Sequence, residues 1–301
     1  MEIARELRDI TKEQAIESYH DMKAASIQSP DFSRGGLKAL DYFFMHHRIK
    51  AKTKRHISFY EAMHDPQIIK KLSELVVKYK KKSVSEYDRT GLLKAQYQVF
   101  QLYYGTINQF RPMIAKWVYH LLKPRIGILD FSAGWGGRML AAMSMGIPYI
   151  GIDANKKLEA SYRNMIKTYE PDADVRIIFK PSETVDVSQF KYDLVFTSPP
   201  YFMIEEYEKM PAYQSKQGFL DIFFIPVVMN VWKHLAPGGN MALNMPEEMY
   251  DAIKDILPKV KRQLLLPLSN RHPVNTAKGA KLGTEDKERH EIIYVWNKRR
   301  G

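Results

Sequence analysis

An apolar strand that runs into a glycine-rich turn and then into a helix constrains the fold of this chain more than any other feature. The strand covers residues 126–131, the turn reads Ser-Ala-Gly-Trp-Gly-Gly over 132–137, and apolar residues then recur at helical spacing. Glycines permit positive φ and a close approach of the backbone to a ligand, and the helix that follows offers N–H groups at its first turn. The strict G-x-G-x-x-G pattern of dinucleotide-binding turns is missing. No Gly-Lys-Ser/Thr follows the turn either, which excludes a P-loop.

Strands and helices alternate from residue 126 onward. Strands are expected near residues 126–131, 148–152, 175–179, 192–197, 240–245, 260–266 and 290–297. Helices are expected near residues 136–145, 155–169, 218–235 and 247–257, and residues 1–105 are predicted to be mainly helical. This alternation predicts an α/β fold with a mostly parallel, doubly wound sheet, in which ligands bind outside the carboxyl ends of the strands.

An aspartate ends the second predicted strand. Asp153 lies about 20 residues beyond the glycine-rich turn, where an acid meets ribose hydroxyls in doubly wound nucleotide sites. Asp153 also precedes Lys156 and Lys157, so it can cap a helix, and both roles are compatible.

A rigid pentapeptide, Thr197–Tyr201 (Thr-Ser-Pro-Pro-Tyr), follows the apolar run Leu194–Phe196. The two prolines fix φ and push the preceding residues to extended conformations. Such a loop can aim a carbonyl and a hydroxyl at one small target, while the adjacent tyrosine can stack on a flat ring. The alternative is a Pro-Pro turn that merely ends a strand. Because Asp130, Asp153 and Ser198 all lie at predicted strand ends, we expect them on one side of the sheet.

These two motifs together resemble the S-adenosylmethionine-dependent amino-methyltransferases of nucleic acid, whose patterns are D/E/P-x-x-x-G-x-G and D/N/S-P-P-Y/F. The resemblance covers roughly residues 106–297. It implies a Rossmann-like class I methyltransferase sheet with an antiparallel last strand. It divides the chain into a basic, mainly helical region, 1–105, and a methyltransferase domain, 106–301.

The resemblance also implies the site residues. The catalytic residues would be Ser198, Pro199, Pro200 and Tyr201. The residues that hold S-adenosylmethionine would be Asp130, Ser132, Gly134, Gly136, Asp153, Ala154, Asn108, Arg111, Ser182 and Glu183. Asn108 and Arg111 are placed to meet the cofactor carboxylate, although they can equally cap a helix. Ser182 and Glu183 are assigned to the adenine pocket by position, and Glu183 can simply begin a helix.

Within that family, the enzymes with a Ser-Pro-Pro-Tyr motif tend to methylate N4 of cytosine. The implied function is methylation of an exocyclic amine in DNA, with DNA favoured over RNA, and the base must be flipped out or single-stranded. Open alternatives are N6-adenine methylation of DNA or RNA, methylation of protein glutamine, and a vestigial fold that only binds nucleic acid.

Positive charge is concentrated at the N-terminal end. The formal net charge is +12, and residues 1–125 carry 23 Lys and Arg against 13 Asp and Glu. Candidate nucleic-acid contacts are Arg48, Lys50, Lys52, Lys54 and Arg55, which are interleaved with aromatic residues, and Arg271, Lys278 and Lys281 in a late loop. The aromatic residues can instead form the core of a helical subdomain.

The chain contains no cysteine. This excludes structural disulfides, thiolate zinc sites and the thiolate attack that cytosine C5 methylation requires. The nine histidines show no ligand spacing, so no metal is expected. No signal peptide or membrane span is evident, and we expect an intracellular protein, cytoplasmic or associated with the genome, that is not secreted.

Overall fold

A computed structural model describes residues 2–31, 33–201, 205–206, 213, 215–267 and 290–299. Its centre is a seven-stranded sheet. The strands are β1 (Ile128–Asp130), β2 (Tyr149–Ile152), β3 (Val175–Ile178), β4 (Leu194–Thr197), β5 (Asn240–Asn244), β6 (Arg262–Pro267) and β7 (His290–Asn297). Their order is β3-β2-β1-β4-β5-β7-β6. The first five are parallel, and β7 runs antiparallel to both of its neighbours. The predicted Rossmann-like class I sheet with an antiparallel last strand is confirmed.

The α-helices of the described residues flank this sheet and fill the N-terminal region. They are α1 (Glu2–Leu7), α2 (Lys12–Ala24), α3 (Leu37–Arg48), α4 (Phe59–Ala62), α5 (Pro66–Lys80), α6 (Arg89–Tyr104), α7 (Pro112–Leu122), α8 (Gly137–Ser144), α9 (Glu159–Tyr169), α10 (Lys216–Phe219), α11 (Ile225–His234) and α12 (Glu247–Asp251). No described helix is long and apolar enough to cross a bilayer.

The predicted helix 218–235 is interrupted. A π-helical turn, Leu220–Phe224, separates α10 from α11. Pro226 lies in the first turn of α11 and has no N–H to donate to the preceding turn. The wider π turn is a common way to accommodate such a break within an otherwise continuous helix. The prediction 247–257 is also too long, since α12 ends at Asp251.

Both faces of the sheet are buried. In β4, Leu194 and Phe196 belong to one hydrophobic cluster and Val195 to the other, because side chains alternate along a strand. The first cluster contains residues of α2, α3, α7, α8 and α9, and the second contains residues of α11 and α12. A third cluster joins α1, α4, α5 and α6. The domain boundary at residue 105 stays a prediction, and the first cluster runs across it.

Candidate active site

Three loops meet at the carboxyl edge of the sheet. Strand β1 pairs in parallel with β2 on one side and with β4 on the other. The glycine-rich turn that follows β1 therefore lies between Asp153, which follows β2, and Ser198, which follows β4. The topology confirms that these residues share one edge, where ligands bind in open α/β sheets.

Asp153 fastens the glycine-rich turn through its carboxylate. Its Oδ2 accepts the N–H of Gly134 at 2.7 Å, and its Oδ1 accepts the N–H of Asn155 at 2.8 Å. Burial raises the pKa of Asp153 to about 6, although these two backbone donors act in the opposite direction. Asp153 and Ala154 are half-exposed, so both can reach a ligand at this edge.

The two glycines of the turn do different work. Both have positive φ, +60° at Gly134 and +76° at Gly136. A Cβ at Gly136 would meet Met165 Cε at 2.9 Å, so this glycine permits packing. A Cβ at Gly134 would meet only the Ser132 carbonyl, at 3.7 Å, so open space lies beside it. The hydroxyl of Tyr162 donates to the Gly134 carbonyl at 2.7 Å and so helps to fix the turn.

Asp130 ends β1 at the carboxyl edge of the sheet, and its assignment to the cofactor stays a prediction. It is completely buried and forms an ion pair with Arg138, with Nε 2.7 Å from Oδ2 and Nη2 3.3 Å from Oδ1. Tyr149 donates its hydroxyl to the same carboxylate, and the N–H of Ser132 donates to it at 3.1 Å. These donors satisfy the oxygens of the Asp130 carboxylate. A buried carboxylate needs such partners, because an unpaired charge is costly to bury.

Arg138 was missed by the sequence analysis. Besides Asp130, its guanidinium donates to the Ser132 carbonyl and lies 5.1 Å from the centre of the Phe110 ring. Ser132 is thus held at both its N–H and its carbonyl, while its side chain stays half-exposed at the edge. The only sequence signal was the charge of Arg138 in the first turn of an otherwise apolar helix.

Ser198 is connected to the neighbouring strand through Tyr201. The Ser198 Oγ lies 3.4 Å from the Tyr201 Oη, and the Tyr201 hydroxyl donates to the Asn244 carbonyl at 3.2 Å. Pro199 is buried, whereas Pro200 and Tyr201 are half-exposed. The Tyr201 end of the Pro-Pro-Tyr loop is therefore anchored to β5. Asn244, at the end of β5, was not predicted.

The segment that precedes α7 crosses the start of α8. The Phe110 ring packs edge-on against Phe196, with centroids 5.4 Å apart. A Cβ on Gly137 would lie 2.1 Å from the Phe110 carbonyl, so only glycine permits this crossing. Asn108 is exposed and Arg111 is half-exposed next to this crossing. Their assignment to the cofactor stays a prediction.

Ser182 is buried at the carboxyl end of β1. Its side chain is buried and donates to the Phe131 carbonyl, so it ties the turn Ser182–Thr184 to the end of β1. The assignment of Ser182 to the cofactor stays a prediction. Glu183 is half-exposed in that turn, and its role in the adenine pocket stays a prediction.

The predicted basic cluster is divided by the fold. Arg48 is buried, with Nη1 2.6 Å from Asp41 Oδ1 and Nη2 3.2 Å from the Ile107 carbonyl, so it cannot contact nucleic acid. Its place near the C-terminus of α3 turns it inward. The other members, Lys50, Lys52, Lys54 and Arg55, are exposed.

Two of those exposed lysines have local partners. Lys50 Nζ lies 5.1 Å from the centre of the Tyr60 ring, and Lys52 Nζ lies 3.9 Å from Glu61. Arg271, Lys278 and Lys281 lie outside the described residues. The nucleic-acid contacts of the exposed residues therefore stay predictions.

No model of a known protein family matches the chain. A tRNA1(Val) (adenine(37)-N6)-methyltransferase of Parabacteroides distasonis is 30% identical over 156 residues, which make up 48% of this chain and 61% of that protein. The chain thus spans less than two thirds of the length of that relative.

Among solved structures, TrmN from Thermus thermophilus is 17% identical, with a TM-score of 0.44 over 62% of this chain and 48% of that chain. The 1,6-didemethyltoxoflavin-N1-methyltransferase of Burkholderia thailandensis is 11% identical, with a TM-score of 0.41 over 62% of this chain and 76% of that chain. The sequence relative supports the methyltransferase resemblance carried by the two motifs, and it gives no support to a DNA cytosine type.

Proposed function

We propose that this protein transfers a methyl group from S-adenosylmethionine to the exocyclic amine of a base in nucleic acid. The observation that carries the proposal is the placement of Ser198–Tyr201 directly beside the glycine-rich turn, on neighbouring parallel strands. A methyl donor in the turn and a base at the Pro-Pro-Tyr loop would then meet at one edge of the sheet. Holding two reactants in attack geometry supplies much of the rate of such a transfer.

The residues of the turn fit S-adenosylmethionine. Open space and positive φ at Gly134 allow a ligand to approach the backbone. Each Asp153 carboxylate oxygen accepts one backbone N–H and keeps a second lone pair that can accept a ribose hydroxyl. When bound, the cofactor supplies a methyl group activated by its sulfonium. Asp130 and Arg138 act indirectly, by holding Ser132 in place.

The target amine is a poor nucleophile because its lone pair is delocalised into the ring. Tyr201 donates its proton to the Asn244 carbonyl, so in the mechanism that we propose the Ser198 hydroxyl donates to the Tyr201 oxygen. This leaves the Ser198 oxygen as an acceptor. The Ser198 oxygen and the Pro199 carbonyl would accept the two amine hydrogens and favour a pyramidal nitrogen. Tyr201 would stack on the base, which must leave a duplex to reach this position.

The base and the polymer are the finer part of the proposal. The sequence relative is named as an enzyme of adenine N6 in tRNA, which favours RNA and adenine. The serine at the start of the Pro-Pro-Tyr loop favours cytosine N4 as a second candidate. The preference for DNA that the sequence suggested has no support among the known proteins compared. Adenine N6 in RNA is therefore the first substrate to test.

The test is methyl transfer from labelled S-adenosylmethionine to unmodified RNA and DNA, which are then digested to nucleosides and separated by mass. We expect label in N6-methyladenosine, and Ser198→Ala should lower turnover at least tenfold while the Kd for cofactor stays within about twofold. The matched control is Ser85→Ala, at an exposed serine of the N-terminal region. N4-methylcytosine would select the second candidate, and an unlabelled nucleic acid would refute the proposal.

A further inference from the structure

Two cations from separate elements share one aromatic ring. The guanidinium of Arg55 lies 4.7 Å from the centre of the Tyr103 ring, and the Lys71 ammonium lies 4.5 Å from it. Arg55 belongs to the loop before α4, Lys71 to α5 and Tyr103 to α6. In the sequence, Arg55 is a candidate for its charge, and no pattern connects it to Lys71 or Tyr103. We call these three residues the tyrosine clamp.

The tyrosine clamp is positively charged and open to solvent. Arg55 and Lys71 are both exposed. Neither is within ion-pair distance of a carboxylate in the part of the chain that the structure describes. Hydrogen bonding to Lys71 and the charge of Lys71, followed by hydrogen bonding to Arg55, lower the pKa of the Tyr103 hydroxyl. Two like charges held together repel each other, so an anion that bridges them would be stabilised.

The turn that carries Arg55 is rigid before any ligand arrives. The N–H of Thr53 donates to the Ile57 carbonyl at 3.0 Å, and the N–H of His56 donates to the Thr53 carbonyl at 2.8 Å. The N–H of Arg55 donates to the Thr53 hydroxyl at 3.3 Å. His56 has φ of +57°, a conformation that side chains other than glycine adopt at a cost. A fixed turn lowers the entropy lost when Arg55 binds a ligand.

The same turn is joined to the catalytic loop. Lys52 and Thr53 pair antiparallel with Glu206 and Glu205, which follow Tyr201 by five and four residues. Fully extended chain spans at most about 3.6 Å per residue, so the Cα atoms of Arg55 and Tyr201 are separated by at most roughly 27 Å. This is about eight stacked nucleotides at 3.4 Å each. One strand of nucleic acid can reach both places.

We infer that the tyrosine clamp binds backbone phosphates of the nucleic acid whose target base enters the site at Ser198. This inference rests on the proposed function for its purpose. Arg presents a planar fork that matches phosphate oxygens, and Lys adds a second charge at the same point. Tyr103 keeps both cations close to one ring, so that they can meet the same phosphate.

The test is the salt dependence of binding, measured without methyl transfer. The probe is a dye-labelled, mixed-sequence RNA of roughly 20 nucleotides, long enough to span the clamp and the site. The Kd of the full chain with S-adenosylhomocysteine is followed by fluorescence anisotropy from 50 to 200 mM salt. Each phosphate contact to a single strand adds about 0.7 to the slope of log Kd against log salt. The double variant Arg55→Gln with Lys71→Gln should lower that slope by about 1.4. The ratio of its Kd to the wild-type Kd should therefore fall about sevenfold between 50 and 200 mM salt.

The matched control removes the same charge from two other cations that lie over aromatic rings. Lys82 lies 4.9 Å from the centre of the Tyr87 ring, and Arg176 lies 5.1 Å from that of Phe190. Lys82→Gln with Arg176→Gln should keep the wild-type slope. An equal loss of slope in both double variants, or none in the clamp variant, would overturn the inference, as would an RNA that does not bind at 50 mM salt. Binding with the expected slopes but without methyl transfer would support the clamp and refute only the proposed function.

Discussion

Asp130 and Asp153 end neighbouring strands and received the same prediction, yet their surroundings give them different roles. Asp130 is enclosed by Arg138 and Tyr149, so its negative charge is used inside the protein. Asp153 has backbone N–H groups as its described partners and stays half-exposed. The sequence could place both residues at the ligand edge, because that requires only strand ends. It could not show which carboxylate is already paired, because Arg138 is recognised as a partner only when α8 is folded back onto β1.

The raised pKa of Asp153 predicts a pH-dependent affinity for S-adenosylmethionine. As pH falls through about 6, protonation removes the charged acceptor for the ribose hydroxyls, so the Kd should rise by up to about tenfold per pH unit. Asp153→Asn should bind weakly with a flat profile. The variant keeps only one of the two oxygens that accept the N–H groups of Gly134 and Asn155, so we expect it to lose part of the stability of the glycine-rich turn. Calorimetric titrations from about pH 7.5 to 5 measure the affinity.

The control for this measurement is Asp186→Asn, at an exposed carboxylate of a surface turn. It should keep the wild-type dependence on pH. A wild-type Kd that stays constant through pH 6 would remove Asp153 from the cofactor site.

The C-terminal ends of two helices are each capped by a different lysine from a distant part of the chain. Lys116, in α7, donates to the carbonyls of Met22, Lys23 and Ala25 at the end of α2, at 2.7–2.8 Å. Lys298 donates in the same way to the carbonyls of Trp232, Lys233 and Leu235 at the end of α11. The last carbonyls of a helix lack partners within the helix, and an ammonium satisfies three of them at once. The sequence predicted a mainly helical region over 1–105 and a helix near 218–235, but the lysines that cap α2 and α11 lie more than 60 residues away.

Lys116→Met should therefore lower the free energy of unfolding by about 3 kcal/mol, because three carbonyls lose a charged donor while the apolar stem is kept. Burial lowers the pKa of Lys116, and its ammonium has the three carbonyls as hydrogen-bond partners. Chemical denaturation measures the loss. Lys12→Met, an exposed position at the start of α2, should change stability by less than about 0.5 kcal/mol. Equal effects of the two substitutions would contradict this account.

The sequence predicted the alternating strands and helices and the edge of the sheet where the site residues meet. It did not predict which N-terminal helices pack on the sheet and which pack with each other. A change from basic helical to α/β composition suggested a boundary at residue 105. In the fold, Tyr19 of α2 stacks on Tyr169 of α9, with centroids 4.7 Å apart, and its hydroxyl donates to Glu170. Helices α2 and α3 therefore share the core of the sheet, whereas α5 and α6 pack with each other. Net charge differs between the two groups, since α2 and α3 carry as many Asp and Glu as Lys and Arg whereas α5 and α6 carry an excess of Lys and Arg, but charge alone does not show which helices pack on the sheet.

Two matched substitutions test this division. Leu40 and Leu72 are both completely buried, Leu40 in the cluster that includes the sheet and Leu72 in the separate N-terminal cluster. Replacing either by Ala should cost about 2–5 kcal/mol through the cavity left behind. Leu40 packs next to Gly137 at the start of α8, so Leu40→Ala should also weaken S-adenosylmethionine binding and reduce the rise in Tm that the ligand produces. Leu72→Ala should lower Tm but keep the wild-type Kd. Thermal unfolding with and without ligand decides: a weakened Kd in both variants would mean that the chain is one cooperative unit, and an unchanged Kd in both would return the division to residue 105.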